Sequence, residues 1–274
     1  MLAVAVLAAC ATPVCCVPAP EKNPLEQALM LEGVSPASSA MVIFRLEDEK
    51  VWASGGARIR ERFTPASTSK IPHTLLALET GAVTGPDEQF EWDGQKRFVE
   101  SWNEDQNFGD AYQRSAVWIY QIVVPRIGAE RLTEGLAAFG YGNAEIGEPE
   151  NITRYWLQGP LAISATEQVE FLSRLARRTL PLSARTYDLA VPVMALDSGE
   201  GWTLYGKTGW KSVEGQTDIG WFVGWVEQTG GDAPGTYAFA LNMDMTGGMA
   251  EAPKRRAAAE RALRAIGALP DQGR

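Results

Sequence analysis

Cysteine is confined to the first sixteen residues, where Cys10, Cys15 and Cys16 are the only three in the chain. The body that follows has no thiol for a disulfide framework, a catalytic cysteine or a thiolate metal site. Histidine is scarcer still: His73 stands alone, so no second imidazole is available to build a metal centre, and none is expected. Basic runs are missing beyond the short KRR at 254–256, and the formal net charge is −9. Phosphate backbones would find little to hold, and nucleic acid is not an expected partner. No apolar run is long enough for a stable membrane span. Internal repeats and long linkers are absent too, and the acidic surface offers no interface signal from which an oligomeric state could be assigned.

What is present is core. Of 274 residues, 45% are hydrophobic and nine are Trp, enough for one large domain over about 25–274. The apolar residues 1–20 read as a secretory signal or its remnant, directing the chain to the periplasm, although the usual positively charged start is missing. Leu7-Ala8-Ala9-Cys10 also resembles a bacterial lipoprotein box, which makes Cys10 a possible lipid anchor.

Residues 40–54, two β-rich runs around Glu47-Asp48-Glu49, predict a hairpin with a solvated turn. From about 66 to 195 the periodicity is mainly helical, and Ser164 with Glu167 forms a capping-box pattern ahead of Val169, Leu172 and Leu175. Three β-rich runs follow between 202 and 246, and then an Ala- and Arg-rich helix with Pro253 in its first turn. The pattern predicts an α/β protein of the α+β kind. An antiparallel sheet from the N- and C-terminal strands is flanked by helices and carries a mostly helical subdomain.

The chemistry gathers around PASTSK at 65–70. If the chain is helical from Ser67, Lys70 lies about 60° around and one turn along, on the same face, whereas His73 is about 120° away and nearly two turns along. Lys70 can therefore reach the Ser67 hydroxyl. Lysine is a poor base at its reference pKa of about 10.4, but burial lowers that value, and Ile71, Leu75 and Leu76 make burial plausible. At a helix start, the Ser67 backbone N–H also faces any anion forming on an attacked carbonyl. Alone, Ser-x-x-Lys is equally consistent with an ordinary helix cap.

It does not stand alone. Downstream come SWNEDQNF at 101–108, Ser115-Ala116-Val117, Tyr141-Gly142-Asn143, YWLQGPLAIS at 155–164, Tyr205-Gly206-Lys207-Thr208-Gly209-Trp210 and GWFVGWVE at 220–227. In order and spacing these motifs resemble the penicillin-recognising serine enzymes, and within them the class D β-lactamases.

The resemblance implies a β-lactamase/transpeptidase-like fold and hydrolysis of β-lactam antibiotics, conferring resistance. It makes Ser67 the nucleophile and Lys70, N-carboxylated by CO2 or bicarbonate, the general base for acylation and deacylation. Trp156 would donate to the carbamate, with Val117 and Leu157 shielding it. Ser115 would move a proton to the leaving nitrogen. The backbone N–H groups of Ser67 and Trp210 would form the oxyanion hole. Lys207, Thr208 and Gly209 would line the substrate strand, Gly209 letting an acyl group come close. Arg255, with Arg256 as the register alternative, would receive the substrate carboxylate. No bound cofactor and no metal are implied. Tyr141-Gly142-Asn143 reads as a structural loop beside the site, and Trp221 and Trp225 read as core aromatics. Two neighbouring activities share parts of this pattern: a β-lactam sensor domain that is acylated without turnover, and a D,D-peptidase.

Overall fold

The computed structural model describes residues 23–231 and 233–271; the leader and Cys10 lie outside them. Helix α1 (Pro24–Leu31) precedes the expected hairpin of β1 (Ser39–Arg45) and β2 (Val51–Ser54). The hairpin turn is not purely solvated, because the Glu47 carboxylate accepts the Thr236 backbone N–H. A helical region follows: α2 (Lys70–Glu79), a two-residue β3 (Gln89–Phe90) paired with β4 (Gln106–Asn107), α3 (Phe108–Gln113), α4 (Val117–Ile127), α5 (Ala129–Phe139), α6 (Tyr155–Gln158), α7 (Ala165–Ala176) and α8 (Ala184–Val193). The chain then returns as β5 (Ala195–Gly199), β6 (Trp202–Lys211), β7 (Ile219–Gln228) and β8 (Gly235–Asp244), and ends in α9 (Ala252–Ala265).

These strands build one six-stranded sheet in the order β2-β1-β8-β7-β6-β5, with every neighbouring pair antiparallel. The first strand pairs with the last, so the sheet exists only once both ends of the chain have met. Because side chains alternate across a strand, β7 serves two cores. Trp221, Val223 and Trp225 join the cluster under the helical region, while Phe222 and Val226 face the layer containing Leu25, Leu29, Ala258 and Ala262 of α1 and α9. Trp221 and Trp225 are thus core aromatics, as their pattern suggests. The capping box of α7 is complete, with Ser164 and Glu167 satisfying each other's backbone N–H.

Two features bear directly on the site. Strand β5 pairs with residues 202–205 of β6, and Gly206 N–H still reaches Met194 O, leaving 207–211 without a strand partner on that side. Across that free edge lies the turn before α2, and α2 itself is buried from Lys70 to Leu78.

Candidate active site

Ser67 does not cap a helix. It sits inside a 3-10 turn (Ala66–Ser69) that runs directly into α2. In a 3-10 turn side chains three apart eclipse, so the alignment with Lys70 is tighter than an α-helical start would give. Lys70 Nζ donates to Ser67 Oγ at 3.0 Å. Pro72 falls at the third position of α2, where its missing N–H costs little. Ala66, just before the serine, is held at φ 48°, an uncommon conformation for a residue with a side chain.

Lys70 is fully buried. Burial, and secondarily the charge of Lys207, hold its pKa well below the ordinary lysine value. The nitrogen also lies 4.8 Å from the centre of the Tyr120 ring. Tyr120 was not identifiable from sequence, since a tyrosine inside an apolar helix carries no mark of what it faces. Its hydroxyl is bound to Thr74 at 2.7 Å, which leaves the ring as the surface offered to Lys70.

Trp156 lies on the one-turn helix α6, fully buried, and its indole N–H has no hydrogen-bond partner. A buried unpaired donor costs about 1–3 kcal/mol, so an acceptor anion at this point would be stabilised. Val117 and Leu157 are half-buried and pack on the cluster that contains Trp156. The loop Tyr141-Gly142-Asn143 buttresses the following segment: Asn143 donates to Pro160 O and accepts from Ala162 N–H, both at 3.0 Å. A Cβ on Gly142 would lie 2.1 Å from Ala162 O, so the approach requires glycine there.

His73 points away from the serine. Its Nε2 pairs with Tyr155 OH at 2.6 Å in the interior. Burial, with Lys70 nearby, lowers its pKa to about 3, so the ring is neutral in ordinary buffers. Among the described residues no cluster of three or more His, Cys, Asp or Glu side chains could hold a metal ion.

Ser115 lies between α3 and α4 at φ 61°, with its N–H on Tyr112 O. Three residues earlier, Tyr112 turns its ring toward Lys207 Nζ at 5.8 Å and donates its hydroxyl to Gly206 O. The Ser115 loop is thereby tied to the free edge of β6. On that edge Lys207 is buried, with its pKa lowered to about 7 by burial and then by Arg255. Thr208 and Trp210 are half-buried, and the Trp210 indole is anchored on Asp218 at 2.8 Å.

Gly209 has a structural reason beside the one expected. A Cβ there would stand 2.7 Å from Pro65 O and 3.0 Å from Thr68 Cγ2, so the glycine lets the strand close on the nucleophile's own turn. The two arginines of the register pair lie in different surroundings. Arg256 is engaged on the surface with Glu260 and Asp197, whereas Arg255 reaches inward to Gly209 O. Burial lowers the Arg255 pKa to about 10, with no carboxylate offsetting it.

Lys70, Lys207 and Arg255 are close enough that each of the first two is perturbed by the next. An acidic chain has thus gathered three basic side chains around Ser67, of which Arg255 keeps its charge throughout the ordinary pH range, an arrangement complementary to an anionic substrate. Two surface clefts, about 1010 Å³ between α1 and α9 and about 490 Å³ between β1 and α7, hold none of these residues.

The chain is similar to known proteins in sequence and in fold. The family model for the penicillin-binding protein transpeptidase domain matches residues 42–266. β-Lactamase OXA-20 of Pseudomonas aeruginosa is 41% identical over 214 residues, covering 78% of this chain and 76% of that protein. β-Lactamase OXA-48 of Klebsiella pneumoniae is 36% identical over 209 residues, 76% of each. Among solved structures, the class D β-lactamase YbXI from Nostoc superposes with a TM-score of 0.83 at 38% identity, covering 89% of this chain and 98% of that one. FUS-1 (OXA-85), a class D β-lactamase from Fusobacterium nucleatum subsp. polymorphum, gives 0.83 at 34% identity, with 91% and 99% covered. With the family match over most of the chain, these identities and these superpositions in agreement, the chain belongs to the class D β-lactamases, hydrolases of the penicillin-binding protein transpeptidase family.

Proposed function

We propose that the protein hydrolyses β-lactams through an acyl-enzyme on Ser67, with Lys70 N-carboxylated by CO2 and serving as the base in both half-reactions. The observation that carries this reading is the 3.0 Å contact from the fully buried Lys70 Nζ to Ser67 Oγ, with no carboxylate offsetting the burial of the lysine. Burial favours the neutral amine, and only the neutral amine has a lone pair to attack CO2. The buried, unpartnered indole N–H of Trp156 supports an anion on the lysine.

Lys70 takes the proton from Ser67 Oγ, and the oxygen attacks the lactam carbonyl carbon. Negative charge moves to the carbonyl oxygen, where the backbone N–H groups of Ser67 and Trp210 receive it; one such donor is worth about 3–4 kcal/mol in other acyl-transfer enzymes. The carbon–nitrogen bond breaks, and Ser115 passes a proton to the departing nitrogen while taking the one held on Lys70, which frees the base again. Water then gives a proton to the freed Lys70 as its oxygen attacks the ester carbonyl; the bond to Ser67 Oγ breaks, and that proton passes from Lys70 to Ser67 Oγ, restoring both. Arg255 binds the substrate carboxylate, and Lys207 and Thr208 line the adjoining edge of β6. The leader 1–20 supports export to the periplasm, by cleavage or by lipidation at Cys10, where hydrolysis would protect a bacterium from β-lactam drugs.

The test is excess chromogenic cephalosporin. Continuous hydrolysis is expected; one stoichiometric burst would place the protein among acylated sensors instead. Stripping bicarbonate at mildly acidic pH should lower the rate and restoring it should recover the rate, and indifference would sink the carboxylated lysine.

A further inference from the structure

Helix α6 is a single turn, Tyr155–Gln158, and Arg154, the capping position before it, provides no side-chain cap. A turn this short has little stability of its own, because helix nucleation is unfavourable. Its orientation, and with it the direction of the Trp156 indole, must be imposed from outside. Its backbone rests on the turn Ala66–Ser69, and its side chains meet α2, which presents Lys70 and, one turn further along the same side, His73.

Three rings meet between the two helices. His73 and Trp156 stand edge to face at 5.0 Å, His73 and Tyr155 at 5.6 Å, and Tyr155 and Trp156 at 5.1 Å. Packing alone would leave such rings free to slide. The directional element is the buried bond between His73 Nε2 and Tyr155 OH at 2.6 Å, linking positions 82 residues apart. Phenylalanine at position 73 could supply the ring contacts but not the bond. The phenol is suited to the same purpose, since burial raises its pKa and keeps its proton in place.

We propose that His73 is a positioning residue: its bond to Tyr155 locks α6 onto α2 and so holds the Trp156 indole N–H toward the carboxylated form of Lys70. This rests on the carboxylated-lysine reading above. A neutral ring is required, because an imidazolium beside an anionic carbamate would pair with it and weaken it as a base; burial keeps His73 neutral. His73 therefore acts on how tightly CO2 is held and not on substrate.

The experiment titrates 13C-bicarbonate into the full chain and follows the lysine carbamate signal by 13C NMR, alongside thermal melting. His73→Phe and Tyr155→Phe each keep an aromatic ring and remove the bond. Each is expected to raise the half-saturating bicarbonate concentration about tenfold, the scale of one buried hydrogen bond. The double variant should need no more than either single variant, because all three lack the same bond. Turnover in the variants should recover at high bicarbonate with KM for substrate unchanged. A merely structural role would lower the melting temperature and leave the bicarbonate titration in place. Wild-type-like titration by Tyr155→Phe, or additive effects in the double variant, would overturn the proposal alone. Absence of any carbamate in the wild-type chain would overturn the parent reading and the proposal with it. If His73→Phe does not fold, Tyr155→Phe, lacking one oxygen, decides.

Discussion

Arg255 Nη1 donates to the carbonyl oxygen of Gly209 at 2.5 Å, joining the C-terminal helix to the free strand edge 46 residues earlier. Its Nε is held by Ala252 O, so the guanidinium is fixed in place with its charge unpaired. We expect Arg255→Ala to raise KM for an anionic β-lactam by about ten- to a hundredfold, the range for losing a hydrogen bond to a charged group, while Arg256→Ala changes KM by less than about twofold, as a surface ion pair should. Steady-state kinetics on both variants checks the register, and equal effects would reverse the assignment.

Arg255 has room because of Gly220, where a Cβ would lie 2.8 Å from Arg255 Cδ and 2.4 Å from Met245 Sδ. Gly220→Ala should raise KM without abolishing turnover, since a flexible side chain can shift. Gly209→Ala, confronting the rigid Pro65 carbonyl at 2.7 Å, should instead lower kcat by displacing the nucleophile's turn. The kcat and KM split between these two variants is the measurement.

Lys70 is fully buried, with the charge of Lys207 adding to the effect of burial, so its charged form is opposed by its surroundings. Lys70→Met keeps the volume and removes the polar end. We expect turnover to disappear and the melting temperature to rise, by about 2–4 °C for each kcal/mol in a domain of this size. A lower melting temperature would show that the lysine contributes to stability instead of opposing it.

Lys207 carries a pKa lowered to about 7. Its positive charge is present below that value and lost above it, so KM for an anionic substrate should rise between about pH 6 and about pH 8. Lys207→Arg, charged throughout, should flatten that profile. The same depression has a stability consequence. The full contribution is present above the ordinary lysine value of 10.5 and is lost as the pH falls to about 7. For His73 the corresponding loss runs from 6.5 down to about 3. Urea midpoints of Lys207→Met and His73→Phe against the parent, across these windows, test both signs.

Local signals were legible without coordinates. The capping box of α7, the hairpin at 40–54, the three C-terminal strands and the Pro-led last helix depend on neighbouring residues, and all form as expected. The short α1 and the exposed β5 were not anticipated, because eight and five residues with mixed polarity carry little periodic signal. Nor was the 3-10 start before α2, a change of backbone pitch that residue spacing does not encode.

The sequence by itself determined the chemistry on offer: a serine and a lysine three residues apart, no second histidine, no thiol in the body, and a Lys-Thr-Gly strand to accompany them. Only the tertiary structure decided what that chemistry is worth. Lys70 becomes a weak ammonium because residues from distant segments exclude water from it, with Lys207 adding its charge. Arg255 is singled out from Arg256 because one side of α9 faces the sheet and the other faces Glu260. His73, a poor base for Ser67 by spacing alone, finds its partner 82 residues away. Burial and long-range pairing are properties of the assembled chain, and they convert a short motif into a site.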